Sequence, residues 1–197
     1  VFEANALILA MPTYECGRLL GALDRELGEL LAGIPYTSSM TVSLVYDAGT
    51  TAQLPPGFGF LVPRKAKKRM LACTFVHGKF PHRAPPAKAL LRCFLGGAHD
   101  PDVLSLTDDD VLSIVRRELQ EIVGFIAEPR LVRIHRWPDS MAQYQVGHAE
   151  RLDSIQTRLD KHAGLFLAGN AYSGIGISDC VRTGKAAASE ALKCVRT

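Results

Sequence analysis

Between Leu167 and Ala188 an apolar run, Leu167-Ala168, enters the turn Gly169-Asn170-Ala171-Tyr172-Ser173-Gly174-Ile175-Gly176-Ile177, and a segment rich in alanine and other small residues follows. A strand feeding a helix through such a turn outlines an anion cradle. The first amides of a helix have no intrahelical partner and carry the positive end of its dipole. Gly174 and Gly176 would let an electron-rich group approach the backbone closely, and Ser178 or Asp179 stands where a cap is needed. Named nucleotide motifs fail here. Ile175-Gly176 replaces the Lys and Ser/Thr of a P-loop, and Asp179 occupies the place of the third glycine of a dinucleotide fingerprint. Residue types alone leave two readings open, a ligand-binding turn and a tight turn that serves packing.

Arg136-Trp137-Pro138 holds the only tryptophan of the chain. Its ring could wall a planar ligand, or be a core residue closing a sheet edge. His148 follows a glycine at an expected helix start, where it is either a proton-transfer group or a capping or surface residue. Metal and nucleophile chemistry find no support. His77, His82, His99, His135, His148 and His162 form no H-x-x-x-H, no cysteine stands at ligand spacing from them, and there is no G-x-S-x-G elbow. Arg64-Lys65 and Lys67-Lys68-Arg69 make a basic hairpin tip, read as a solvated loop in preference to an anion or lipid contact.

These residues need a scaffold, and the composition supports one. The chain has 197 residues, 47% hydrophobic and 22% charged, which is globular usage. A net charge of +3 is too small and too dispersed to argue for nucleic acid. The longest apolar run, Ala6 to Met11, is far short of a membrane span. Cys16, Cys73, Cys93, Cys180 and Cys194 lie far apart without a C-x-x-C, and read as buried thiols of a cytoplasmic protein. The opening at Val1, almost at once followed by an apolar run, looks like a chain cut inside a fold.

Ala6–Met11 is expected as a fully buried strand, and Leu19, Leu20, Leu23, Leu27, Leu30 and Leu31 place one helix over 14–34. Strands are expected at 40–46, 58–62, 70–76 and 89–95, joined by short loops as in an antiparallel sheet. Thr107 with Asp110 is an aspartate variant of the capping box, opening a helix that packs on that sheet. A strand over 130–137, a helix over 151–163, a buried strand over 165–168 and a helix from Ser178 complete the pattern. Both ends therefore read as pieces of one α/β layer, with an α+β sheet domain inserted between them: 1–35, 36–137 and 138–197.

Phe58-Gly-Phe-Leu-Val-Pro63, Phe94-Leu-Gly-Gly97, Arg136-Trp-Pro-x-x-Met-x-Gln-Tyr-x-Val-Gly-His148 and Leu167-Ala-Gly-Asn-Ala-Tyr-x-Gly-Ile-Gly-Ile-x-Asp-Cys180 occur in one order across nearly the whole chain. Together they resemble the C-terminal portion of the protoporphyrinogen oxidase family, within the amine-oxidase-like flavoproteins. The resemblance implies a discontinuous FAD-binding domain with an inserted substrate domain. It implies that Gly169, Asn170, Gly174, Ile175, Gly176 and Ile177 pass the flavin, and that Trp137 is similar to an aromatic neighbour of the cofactor. The implied reaction takes hydride from a porphyrinogen methylene bridge to flavin N5, with tautomerisation, repeated three times, in haem biosynthesis. Protoporphyrinogen IX or coproporphyrinogen III would be the substrate, and oxygen or another acceptor would reoxidise the cofactor. No catalytic acid or base is assigned. The G-x-G-x-x-G half of an FAD site is absent from this sequence, so the resemblance implies an inactive portion on its own, with exposed apolar faces and self-association. A membrane surface is an expected contact of the full-length enzyme only. The competing readings are a porphyrin-binding or interaction module without catalysis, and another amine-oxidase-like flavoprotein.

Overall fold

The computed structural model describes residues 3–195. Chain order is β1 (Leu7–Leu9), α1 (Thr13–Leu20), α2 (Arg25–Ala32), β2 (Tyr36–Asp47), β3 (Gly59–Leu61), β4 (Met70–Phe75), the single turn α3 (Val76–Lys79), β5 (Lys88–Gly96), α4 (Asp108–Val123), β6 (Leu131–Ala142), α5 (His148–Leu159), β7 (Leu165–Leu167) and α6 (Ile177–Val195). Two compact units result, Val1–Tyr36 with Ala142–Thr197, and Thr37–Met141.

In the first unit β1 and β7 pair in parallel, with Leu7 opposite Leu165 and Leu9 opposite Leu167. The expected fully buried strand is shorter and half open: Leu7 is 49% and Ile8 37% exposed, and only Leu9 is buried. A strand is covered on both faces only where layers lie on both sides. Among the described residues no such second layer covers Leu7 and Ile8. The expected helix over 14–34 is likewise two helices, α1 and α2. Asp24 breaks it. Its backbone is extended, and its carboxylate accepts the Leu27 N–H at 3.0 Å as the N-cap of α2. The same carboxylate takes Arg158 at 2.7 and 3.0 Å and His162 at 3.0 Å. Those bonds hold its pKa well below the usual carboxylate range, the Arg158 hydrogen bond contributing most. Apolar spacing survives the break because α1 and α2 fold back onto one core, with Leu20, Leu27 and Leu31 buried together. Their approach is so close that a Cβ on Gly17 would stand 2.6 Å from the Gly28 carbonyl oxygen. The helix expected over 151–163 runs instead from His148 to Leu159, so His162 leaves the helix and reaches Asp24.

The second unit is a five-stranded sheet ordered β3-β4-β5-β2-β6. β2 and β5 pair antiparallel over nine residues, from Ser39 opposite Gly96 to Asp47 opposite Lys88. Alternate residues Met40, Val42, Leu44 and Tyr46 are buried against Ala89, Leu91, Cys93 and Leu95. α4 covers that face with Val111, Val115 and Leu119. Its buried Glu118 accepts the Met70 N–H at 2.8 Å and the Arg69 N–H at 3.0 Å, pinning helix to strand. The basic tip is only partly a solvated loop, because Lys68 pairs with Glu121 and Arg69 with Asp100. β6 does not stop at Trp137 but continues to Ala142, and Pro138 is accommodated because β6 is an edge strand. Cys16, Cys73 and Cys93 are buried free thiols, whereas Cys180 and Cys194 are half-buried.

Candidate functional site

The strand-to-helix turn lies between β7 and α6. Ala168 donates its N–H to the Leu9 carbonyl at 3.0 Å, and Ala171 is buried in the core of the first unit. From there the backbone rises to Gly174, whose φ of +116° is open to glycine alone at low cost. A Cβ there would lie 2.3 Å from the Asp179 carboxyl carbon. Gly176 precedes α6, and Ile175 and Ile177 on either side of it are 66% and 86% exposed. The turn thus presents two apolar side chains beside the first amides of a 19-residue helix.

Three side chains hold this arrangement. Tyr144 Oη accepts the Gly174 N–H and donates to the Asn170 carbonyl, both at 2.9 Å. Asp179 Oδ2 accepts the Gly176 N–H at 3.2 Å, reaching back as the acidic partner of a capping box does. Arg182 bonds the Ser173 carbonyl at 2.5 Å and Asp179 Oδ1 at 3.0 Å. Arg182 and then the Gly176 amide hold the Asp179 carboxyl below its ordinary range, so its charge is balanced inside the turn. The helix is therefore supported by Asp179 from its first turn, one of the two residues expected to cap it. Behind the turn a cavity of about 520 Å³ is lined by Leu159, Phe166, Tyr172, Arg182 and Ala187.

His148 opens α5 after Gly147, and its ring stacks on Tyr144 with centroids 4.0 Å apart. It buttresses the side chain that staples the turn. Tyr172 lies in the turn with its hydroxyl buried beside Cys16, and burial pushes both the phenol and the thiol up, so neither supplies a base near neutrality.

The site residues expected from the sequence divide between the two units. Gly169, Asn170, Gly174, Ile175, Gly176 and Ile177 form one continuous turn in the first. Trp137 belongs to the second, where it is 49% exposed on β6 and donates its indole N–H to Thr41 Oγ1 at 3.2 Å. It is not a core tryptophan. Tyr144 and Arg182 are the residues that sequence reasoning missed. The Gln143-Tyr144 spelling was in view, but a hydroxyl bonding main-chain atoms 26 and 30 residues away leaves no local signature. Among the described residues no group of three or more His, Cys, Asp or Glu comes together as a metal site.

A family model described as flavin containing amine oxidoreductase matches residues 1–192. The chain belongs to that family. Coproporphyrinogen III oxidase of Bacillus subtilis is 33% identical over 191 residues, covering 96% of this chain and 40% of the relative. The chloroplastic protoporphyrinogen oxidase of Nicotiana tabacum is 28% identical, over 95% of this chain and 36% of the relative. A solved structure from Exiguobacterium sp. 255-15, provisionally assigned as a protoporphyrinogen oxidase, superposes with a TM-score of 0.84 at 32% identity, covering 96% of this chain and 42% of the other. The chain spans about two fifths of the length of these flavoprotein-family relatives. This chain, with one parallel and one antiparallel sheet, superposes on the Exiguobacterium structure over 96% of its length.

Proposed function

We propose that this chain is part of an FAD-dependent porphyrinogen oxidase that converts protoporphyrinogen IX to protoporphyrin IX, or coproporphyrinogen III to coproporphyrin III. In this reading Val1–Tyr36 and Ala142–Thr197 belong to a discontinuous flavin-binding domain, and Thr37–Met141 is a substrate domain inserted into it. The observation that carries it is the 33% identity to a coproporphyrinogen III oxidase over 191 residues, which extends through both units instead of following the flavin turn alone. Oxygen or another acceptor completes the cycle. Contact of the full-length enzyme with a membrane surface and self-association belong to the same reading. Among the described residues no helix is long and apolar enough to cross a membrane.

The turn has the right chemistry for a flavin ring. At Gly174 and Gly176 a Cβ would meet the Asp179 carboxylate, so glycine lets the turn close tightly on its own cap, and Ile175 and Ile177 offer exposed apolar contact on either side. When bound, FAD supplies the two-electron acceptor for methylene-bridge oxidation. The first amides of α6 favour negative charge at their end of the site. Tyr144, Asp179 and Arg182 keep those amides in place, and Asp179 opposes the dipole little because Arg182 and the Gly176 amide already hold it. Gly169 and Asn170 set the start of the turn; Trp137, expected from the resemblance beside the cofactor, lies on β6 of the second unit with its indole N–H on Thr41. No side chain here is given the role of acid or base.

A hybrid tests the reading: the matching segment of the Bacillus subtilis enzyme is replaced by this chain, and porphyrin fluorescence is followed with each porphyrinogen and with a primary amine. Porphyrin formation with bound flavin is the expected result. A hybrid that holds flavin and oxidises only the amine would assign this chain to another branch of the family.

A further inference from the structure

We propose that Cys73 and Cys93 are a modification site, a dithiol that hydrogen peroxide converts to a disulfide joining β4 to β5 beneath α4. The inference stands apart from the porphyrinogen reading, because it needs only the two thiols and an oxidant of this class.

The pairing follows from the hydrogen-bond ladder. Cys73 stands directly opposite Cys93. Phe75 donates its N–H to the Phe58 carbonyl at 2.8 Å, and Val62 donates to the Leu71 carbonyl at 2.9 Å. Alternate residues of this stretch, Leu71, Cys73 and Phe75, therefore turn their main-chain groups toward β3 and away from β5. Cys73 and Cys93 are thus a non-hydrogen-bonded pair, the kind whose Cα atoms stand about 4.5 Å apart with their side chains closest. A disulfide spans Cα separations of about 4.4–6.8 Å. Both side chains lie in the core of the unit, and their Sγ atoms are 3.7 Å apart in a weak S–H···S contact. The irregularity of this ladder, between Met70 and Ala72, ends before the pair. Closing the bond asks for side-chain rotation, not a shift of strands.

Access runs through the edge of the sheet. Cys73 is 1% and Cys93 0% exposed, and contact with Cys73, followed by burial, pushes the Cys93 thiol up. The closed sheet therefore keeps the pair reduced. Over Cys73 lies β3, three residues long and at the sheet edge, with Phe60 opposite Cys73. A cavity of about 270 Å³ between β3 and β4 has Cys73 in its wall. Short edge segments open locally at far less cost than the whole fold, and opening here brings peroxide to Cys73. The Cys73 sulfur, losing its proton, attacks one peroxide oxygen; an S–O bond forms, the O–O bond breaks and hydroxide leaves, which takes up that proton as water. The Cys93 sulfur then displaces the hydroxyl of the sulfenic acid, forming the S–S bond and releasing a second water with its own proton. The two sulfurs lose two electrons and the peroxide oxygens gain them. The α6 thiols have no such route: Cys180 and Cys194 lie about 21 Å apart along one helix.

The full chain, folded, is exposed to hydrogen peroxide, quenched by alkylation under denaturing conditions, digested and read by mass spectrometry. A peptide pair joined through Cys73 and Cys93, about 2 Da lighter than the sum of its reduced halves, is the expected main product, and dithiothreitol should return it to two alkylated peptides. Cys180→Ser/Cys194→Ser removes the half-buried thiols of α6 and should leave the yield of that pair unchanged. In this variant the oxidised chain should unfold at a higher urea concentration than the reduced one, because the bond closes residues 73–93 into a loop. Gly59→Ala tests the route: its Cβ would stand 2.1 Å from the Cys73 carbonyl oxygen at a φ of +138°, which loosens β3 without touching either sulfur. The bond should then form roughly threefold faster. Cys73 and Cys93 recovered as separately alkylated thiols after peroxide, as sulfinic acids, or bonded to Cys16 instead of each other would overturn the proposal. An unchanged rate in a folded Gly59→Ala chain would reject entry through β3. None of these readouts involves flavin or porphyrinogen, so neither result bears on the hybrid.

Discussion

The starts of α4 and α6 present the same electrostatic feature, a first turn of amides without intrahelical partners, and answer it differently. In α4, Thr107 Oγ1 accepts the Asp110 N–H at 3.2 Å, Asp108, Asp109 and Asp110 set negative charge on the dipole, and Asp108 is itself held by Arg136 at 2.7 Å. In α6 the single acidic residue of the first turn, Asp179, is neutralised by Arg182, and the turn before it shows exposed Ile175 and Ile177. One start is closed by its own sequence neighbours. The other is capped more lightly by Asp179 with Arg182, stapled from a distance by Tyr144, and left open at its tip. A helix start favours an incoming negative group where its own acidic residues are few and already paired.

That contrast separates changes that cost stability from changes that cost cofactor. The largest stability effect belongs to the closed helix: Glu118→Ala leaves the Met70 and Arg69 amides without their acceptor and is expected to lose about 3 kcal/mol in denaturant unfolding. Flavin content of the hybrid should not change apart from that loss of fold. Acid reaches the first unit through Asp24. Its depressed pKa contributes stability that is full above the ordinary carboxylate value of about 3.9 and is lost as pH falls below it. The thermal midpoint of the parent should fall steeply there, while Asp24→Asn should start lower at neutral pH and show a shallower acid limb. A parallel decline of the two would remove Asp24 from the account. Tyr144→Phe takes away both bonds to the turn and is expected to weaken flavin binding about tenfold, near 1.4 kcal/mol, with little change in overall unfolding. Thr107→Ala, at the closed start, should show the opposite pattern, about 1 kcal/mol of stability and unchanged flavin affinity. Loss of flavin in this last variant would erase the distinction.

How much was legible in the sequence follows the same line between local and distant causes. The α4 cap, the β2 and β5 alternation and the glycine turn are local patterns, and they were read at or near their true positions. The single helix over 14–34 failed because apolar spacing carries no record of direction: a chain that turns back at Asp24 buries the same leucines. What makes Asp24 a cap and an ion-pair centre is Arg158, 134 residues away. The strand order sets β2 between β5 and β6, so its neighbours were also beyond local reading. In the turn, the glycines and isoleucines were visible by type, whereas the Tyr144 staple and its His148 buttress exist only in three dimensions.

The central claim is that the open start of α6 holds the flavin, and Gly174→Ala tests it most directly. Its added methyl group would strike the Asp179 carboxylate at a backbone angle that alanine rarely adopts, deforming the turn while leaving the core of the unit untouched. The ratio of bound flavin to protein, read from visible absorbance after gel filtration of the hybrid, is the quantity to measure. The account expects a full complement in the parent and in Thr107→Ala, and loss of most of it in Gly174→Ala with the helical signal retained. A folded Gly174→Ala protein carrying the parent's full flavin content and spectrum would contradict it.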